Sequence, residues 1–186
     1  MNLVPTELRG VLIAETEICV DPRGSFARLF CADDLAPALA GRHIVQINHS
    51  RTRRAGTIRG LHFQDRPYTE SKLVRCLKGQ VWDVAVDLRA GSPTFLRWLA
   101  VELTPDNARM MIIPEGCAHG FQARTPDCEL LYLHTAPYAQ GAERGVAWND
   151  PRLSISWPMP VPDDGGLSDR DRHLPALAPA FRGIEA

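Results

Sequence analysis

Two histidines lie in glycine-flanked apolar settings, His62 in GLHF and His119 in CAHGF, and Arg59, Gln64 and Lys72 accompany the first of them. An imidazole has an unperturbed pKa of about 6.5, which suits it to accept a proton near neutral pH. A lone histidine in such a setting is more often a satisfied core residue. Two of them, with a lysine, an arginine and carboxylates nearby, favour a pocket that moves protons. Metal binding is the competing use. Small metal-binding barrels offer two histidines one residue apart with a nearby glutamate and a distant histidine. Here Gln64 takes the second place, His119 and Glu70 are the remaining donors, and the Lys72 ammonium would repel a cation. The residues predict a site without metal.

The elements that must position these groups are read from periodicity. In the stretch Ile58 to Arg89, the run VWDVAVDLR places Val81, Asp83, Ala85 and Asp87 on one strand face and Trp82, Val84, Val86 and Leu88 on the other. A face with two carboxylates is either solvated or lines a pocket, and this segment alone leaves both readings open. From Thr57 to about Tyr132, short strands follow one another with turn signals at DRP, KG, AGSP, TPDN, PEG and TPD and no period of 3.6. That density predicts an all-β sandwich or barrel. Upstream, residues 11–20 read as a strand broken at Asp21-Pro22-Arg23-Gly24, after which SFARLF resumes. A short helix is predicted over 33–40 with Asp33 as N-cap, then a strand over 43–50 and a basic loop RTRRAGT. Residues 158–175 are too rich in Pro, Gly and Asp to be regular, and the last dozen hold a short helix or none.

The 186 residues, 45% hydrophobic and 23% charged, suit one domain over 1–186 with an irregular segment from about 158. A net charge of −1 gives no pull toward nucleic acid or an acidic membrane surface, and no run approaches the roughly 20 apolar residues that span a bilayer. A soluble cytoplasmic protein with a small-molecule partner is expected. The five cysteines have no CxxC spacing, and three lie in apolar patterns, so neither disulfides nor a zinc site are predicted.

RGLHFQ, KLVR, VWDVAVDLR, GSPTF, IPEGCAHGF, LLYL, NDP at 149–151, SISWP and LSDRD together resemble the dTDP-4-dehydrorhamnose 3,5-epimerase family of the cupin superfamily, from about Asp21 to Asp171. The resemblance implies a cupin-type jelly-roll β-barrel with short peripheral helices. It also implies a homodimer that exchanges N-terminal strands, and a nucleotide-linked 4-keto-6-deoxy sugar as substrate, handled without metal or organic cofactor. His62 matches the family's base, and Asp171 its carboxylate partner, with Asp169 as the alternative. Lys72 matches the cation at the developing enolate and Tyr132 the acid, though the residues alone would make Tyr132 a core aromatic. Arg23, Phe26, Arg28, Gln46, Asn48, Arg59, His119 and Tyr138 fall where the family contacts its substrate. Arg28 replaces a common acidic residue and Pro137 a common aromatic, both where the nucleotide base is held. Two other classes remain open at this stage, a metal-dependent cupin enzyme and a nucleotide-sugar-binding barrel without catalysis.

Overall fold

Alternation along β8 (Val81–Asp87) explains the architecture, because both of its faces are buried. Val81 and Ala85 point into an inner core with Val74, Met111, Phe121 and Leu130, whereas Val84 and Val86 point outward against Trp98, Trp157, Leu177 and Phe181. The two carboxylates, Asp83 and Asp87, therefore lie inside the barrel and are fully buried. That face is neither solvated nor part of the cavity wall: Asp83 is paired with His119, and Asp87 is bonded to Arg89, Ser92 and Thr94.

The computed structural model describes residues 1–185. Strands β1 (Asn2–Pro5), β2 (Leu12–Glu15), β5 (Gln46–Thr52), β7 (Lys72–Lys78), β10 (Arg109–Ile113) and β12 (Cys128–His134) form a six-stranded antiparallel sheet in the order β1-β2-β10-β7-β12-β5. Facing it, β6 (Ile58–Gln64), β8, β9 (Trp98–Leu103), β11 (Cys117–Ala123) and β13 (Glu143–Gly145) form a five-stranded sheet in the order β13-β6-β11-β8-β9. This is the jelly-roll sandwich expected. Each of the six turn signals falls between consecutive strands from β6 to β12.

Several boundaries differ from the sequence reading. The strand predicted over 11–20 is two strands, β2 in the six-stranded sheet and β3 (Ile18–Asp21), which pairs only with β4 (Gly24–Ala27) in a separate hairpin. Helix α1 spans Ala32–Leu39 with Cys31 at the N-cap and no side-chain cap, so Asp33 is not the cap. It lies with Asp34 in the first turn, where both carboxylates face the positive end of the helix dipole. The strand predicted over 43–50 begins at Gln46 and continues through Arg51 and Thr52, so the basic loop begins two residues later than RTRRAGT suggests. Within 158–175 a four-residue helix, α2 (Asp169–Arg172), is capped by Ser168, whose Oγ accepts from the Asp171 N–H at 3.0 Å. Residues 175–185 hold no helix, but Ile184 bridges Arg89 in parallel. Residues 146–185 thus form an arm that packs over the outer face of the five-stranded sheet and reaches the cavity with its 165–171 stretch. Trp82 meets Trp98 and Trp157 edge-on at 5.7 and 5.5 Å, and the Asp150 carboxylate accepts from the backbone of Arg152 and Leu177.

Candidate active site

One end of the sandwich is closed by the inner core, and the other opens into a cavity of about 600 Å³ between the sheets. Sequence alternation alone would not put both Arg59 and His62 on its wall, since they lie three residues apart in β6. A bulge resolves this: His119 pairs with His62 and Phe121 with Arg59, so three steps of β6 oppose two of β11. The bulge requires close backbone approach, and a Cβ on Gly60 (φ +131°) would lie 2.5 Å from the Gly120 Cα.

His62 Nε2 lies 2.6 Å from Asp171 Oδ1. With Nε2–H donating to the carboxylate, Nδ1 keeps its lone pair, and the side chain remains a quarter exposed to the cavity. Burial of Asp171 by itself would raise its pKa. The hydrogen bond and charge of His62, with the Ser168 bond and the Gly60 backbone, outweigh burial and hold the carboxyl below its ordinary value. The arm brings Asp171 to His62 and not Asp169, whose backbone carbonyl lies against His173 Nδ1 instead. His119, cross-strand neighbour of His62 in the same sheet and not on a facing strand, makes a second pair with Asp83, at 2.8 Å.

The opposite wall carries Lys72, Tyr132, Asn48 and His134. Lys72 Nζ lies 3.3 Å from both Glu70 Oε1 and the His62 carbonyl oxygen. The Tyr132 hydroxyl accepts from Ser50 Oγ at 3.4 Å, which leaves its own proton free to donate into the cavity, and burial keeps the phenol protonated by pushing its pKa up. Its ring meets His119 edge-on and lies nearly parallel to His134, at 6.0 and 6.1 Å. The structure thus brings together His62, Asp171, Lys72, Tyr132, His119, Asn48 and Arg59, with Tyr138 at the rim. Arg59 is held by Thr52 Oγ1 and the Arg51 carbonyl. Gln46 stands one step back, its Oε1 accepting from the Tyr138 N–H. Arg23, Phe26 and Arg28 lie outside this cavity: the first two are on the exposed β3–β4 hairpin, and Arg28 sits 3.6 Å from Asp34.

The sequence reading missed Ser50, His134, Glu143 and Arg170, all of which line the cavity, and weighed Glu70 only as a metal donor. Period-2 alternation from Tyr132 points to His134, and from Asn48 to Ser50. Glu143 carried no such signal; it joins the Tyr138 hydroxyl at 2.8 Å to Arg170 at 2.7 Å. Among the described residues, no group of three or more His, Cys, Asp or Glu converges as metal donors.

A cupin-type jelly roll with an imidazole–carboxylate pair, an ammonium and a part-buried phenol around one cavity defines an enzyme that moves protons on a small molecule. A family model described as dTDP-4-dehydrorhamnose 3,5-epimerase matches residues 5–179. The Pseudomonas aeruginosa dTDP-4-dehydrorhamnose 3,5-epimerase is 44% identical over 182 residues, 97% of this chain and 98% of that protein. The Shigella flexneri enzyme of the same name is 43% identical over 173 residues, 92% of this chain and 93% of that one. A crystal structure of dTDP-6-deoxy-D-glucose-3,5-epimerase from Legionella pneumophila, in complex with dTDP-4-keto-L-rhamnose, superposes with a TM-score of 0.90 at 36% identity, covering 100% of this chain and 98% of that one. The chain belongs to the dTDP-4-dehydrorhamnose 3,5-epimerase family and is an isomerase, a sugar epimerase.

Proposed function

We propose that this enzyme inverts carbon 3, carbon 5 or both of a nucleotide-linked 4-keto-6-deoxy sugar, such as dTDP-4-dehydro-6-deoxyglucose, for deoxysugar biosynthesis in the cytoplasm. The observation that carries the reading is the His62–Asp171 pair, which shares one cavity with the Lys72 cation and the Tyr132 phenol. A hydrogen next to a ketone is acidic because the charge left behind moves to the carbonyl oxygen. His62 Nδ1 takes that proton, and Asp171 stabilises the imidazolium that forms. Lys72 stabilises the enolate oxygen, a contribution on the order of 3 kcal/mol for one such donor in a dry site. Tyr132 returns a proton to the opposite ring face, and the inverted centre is released. His119, Arg59, Asn48 and Tyr138 bind the sugar and its diphosphate. No organic cofactor enters this scheme, since every step is a proton transfer.

The same reading makes the enzyme a homodimer. Among the described residues the β3–β4 hairpin pairs with no other strand, and β5 is an edge strand beside the cavity with Ile47 exposed. The partner's hairpin would pair along β5 and deliver Arg23 and Phe26 to the cavity. The decisive experiment incubates the protein in D2O with nucleotide-linked 4-keto sugars. Thymidine, uridine and guanosine carriers are all needed, because Arg28 and Pro137 depart from the family where the base is held. Loss of a ring-proton signal next to the ketone is expected with one carrier. Retention of every ring proton across the panel would overturn the proposal.

A further inference from the structure

Opposite Lys72 in the β7–β12 pairing stands His134, an unusual neighbour for a cation because both side chains turn toward the cavity. Glu70 lies between them. One carboxylate oxygen is 3.3 Å from Lys72 Nζ and the other is 2.7 Å from His134 Nδ1. All three side chains are nearly buried, at 12, 7 and 11% exposure for Lys72, Glu70 and His134. The chain of contacts ends at the substrate-facing amide, where Asn48 Nδ2 lies 3.3 Å from His134 Nε2. One tautomer satisfies every atom: Nδ1–H donates to Glu70, and Nε2 accepts from Asn48. His134 is then neutral, and the cluster carries one positive and one negative charge.

We propose that Glu70 and His134 are positioning residues for Lys72, which clamp its ammonium so that a single N–H is aimed at the enolate oxygen. An ammonium has three donors. Glu70 takes one and the His62 carbonyl takes another, which leaves one for the cavity. A carboxylate at this distance cancels much of the field of the lysine, so what the substrate meets is a directed hydrogen bond more than a bare charge. Its strength depends on geometry, and the geometry depends on Glu70 being fixed at both oxygens. Burial would raise the Glu70 pKa, but the His134 hydrogen bond and the Lys72 charge outweigh it and keep the carboxyl below its ordinary value. His134 therefore holds the clamp closed from behind while its ring packs on Tyr132. The inference rests on the enolate-stabilising role proposed for Lys72.

The test uses the full-length enzyme with Glu70→Ala, Glu70→Gln and His134→Phe, the last keeping a ring beside Tyr132 while removing both nitrogens. Glu70→Ala and His134→Phe should each lower kcat by roughly 10- to 100-fold, the cost of misplacing a catalytic group by about an ångström, with KM nearly unchanged. Glu70→Gln, which keeps an acceptor for Lys72, should recover part of the loss. In a Lys72→Met background the Glu70 changes should be silent, since Glu70 acts through the ammonium, and His134→Phe should keep only the smaller effect that passes through Asn48. Single variants that fold and turn over normally would overturn the inference, as would losses that multiply undiminished with Lys72→Met, the signature of a merely structural role. These outcomes are separable from failure of the epimerase reading: in that case wild-type protein washes no deuterium into any sugar, and there is no Lys72-dependent turnover to lose.

Discussion

In the proposed mechanism, what holds the other nitrogen decides which histidine can act as the base. His62 and His119 are cross-strand neighbours, and each is paired with an aspartate, yet their side chains are 25% and 6% exposed. The more open one presents a free Nδ1 to the cavity. Asp171 is also fixed within the arm through its backbone N–H, which donates to Ser168 Oγ, whereas Asp83 Oδ2 has no hydrogen-bond partner among the described residues. His62→Asn should thus lower deuterium exchange by at least roughly 100-fold with little change in ligand affinity, and unchanged exchange would remove His62 from the mechanism. Tyr132→Phe separates the two proton transfers. It leaves base and cation intact, so deuterium should still wash in at the original configuration while the inverted product falls sharply. A normal epimer ratio by proton NMR would return Tyr132 to the role of a packed aromatic. His62, Lys72 and the two buried aspartates were legible as types in a pattern. The clamp was not, because Glu70 precedes β7 and meets His134 only across the β7–β12 pairing.

At the scale of elements, strands announce themselves and the arm does not. The turn residues between β6 and β12 mark every reversal because turn chemistry is local. The Pro-rich arm has almost no local preference. Its order comes from distant partners: the tryptophan cluster, the Asp150 carboxylate, and the Ile184 bridge to Arg89. The β6 bulge was hidden for a similar reason, since it depends on β11 lying alongside. One turn can be tested by pH. Asp87, at the end of β8, accepts from the Arg89 guanidinium and from the Ser92 and Thr94 hydroxyls. Burial would raise its pKa, but these bonds outweigh burial and bring it down to about 2 from 3.8. A folded-state pKa below the unfolded one stabilises the fold fully above the unfolded value, and the gain disappears as pH falls through the folded one; here the gain is about 2 kcal/mol. Asp87→Asn should therefore cost about that much at pH 7 by urea denaturation, with the difference from wild type narrowing as pH falls below about 4. A difference independent of pH would mean that Asp87 acts by packing alone.

For the whole molecule, the question is why a stable sandwich carries a hairpin that it does not use. Val20 and Phe26 on β3 and β4 are 76% and 74% exposed, and Ile47 on the β5 edge is 60% exposed. Isolated two-stranded hairpins are at best marginally stable in water, and an open edge with apolar side chains invites pairing. Mutual exchange across a two-fold axis removes both liabilities at once, and it leaves β2 in its own sheet, where β10 holds it. Sedimentation at micromolar concentration should then show a dimer, and a monomer would sink the exchange. A stricter test asks whether Arg23 and Phe26 serve the neighbouring cavity. His62→Asn disables the site of its own chain, whereas Arg23→Ala/Phe26→Ala would disable the site of its partner. Each homodimer should be nearly inactive. When the two are unfolded together and refolded, a mixed dimer has one ruined site and one with every residue intact, so activity should return to roughly a quarter of wild type for random pairing. If the hairpin served its own chain, both sites of the mixed dimer would be defective, and refolding together would recover nothing.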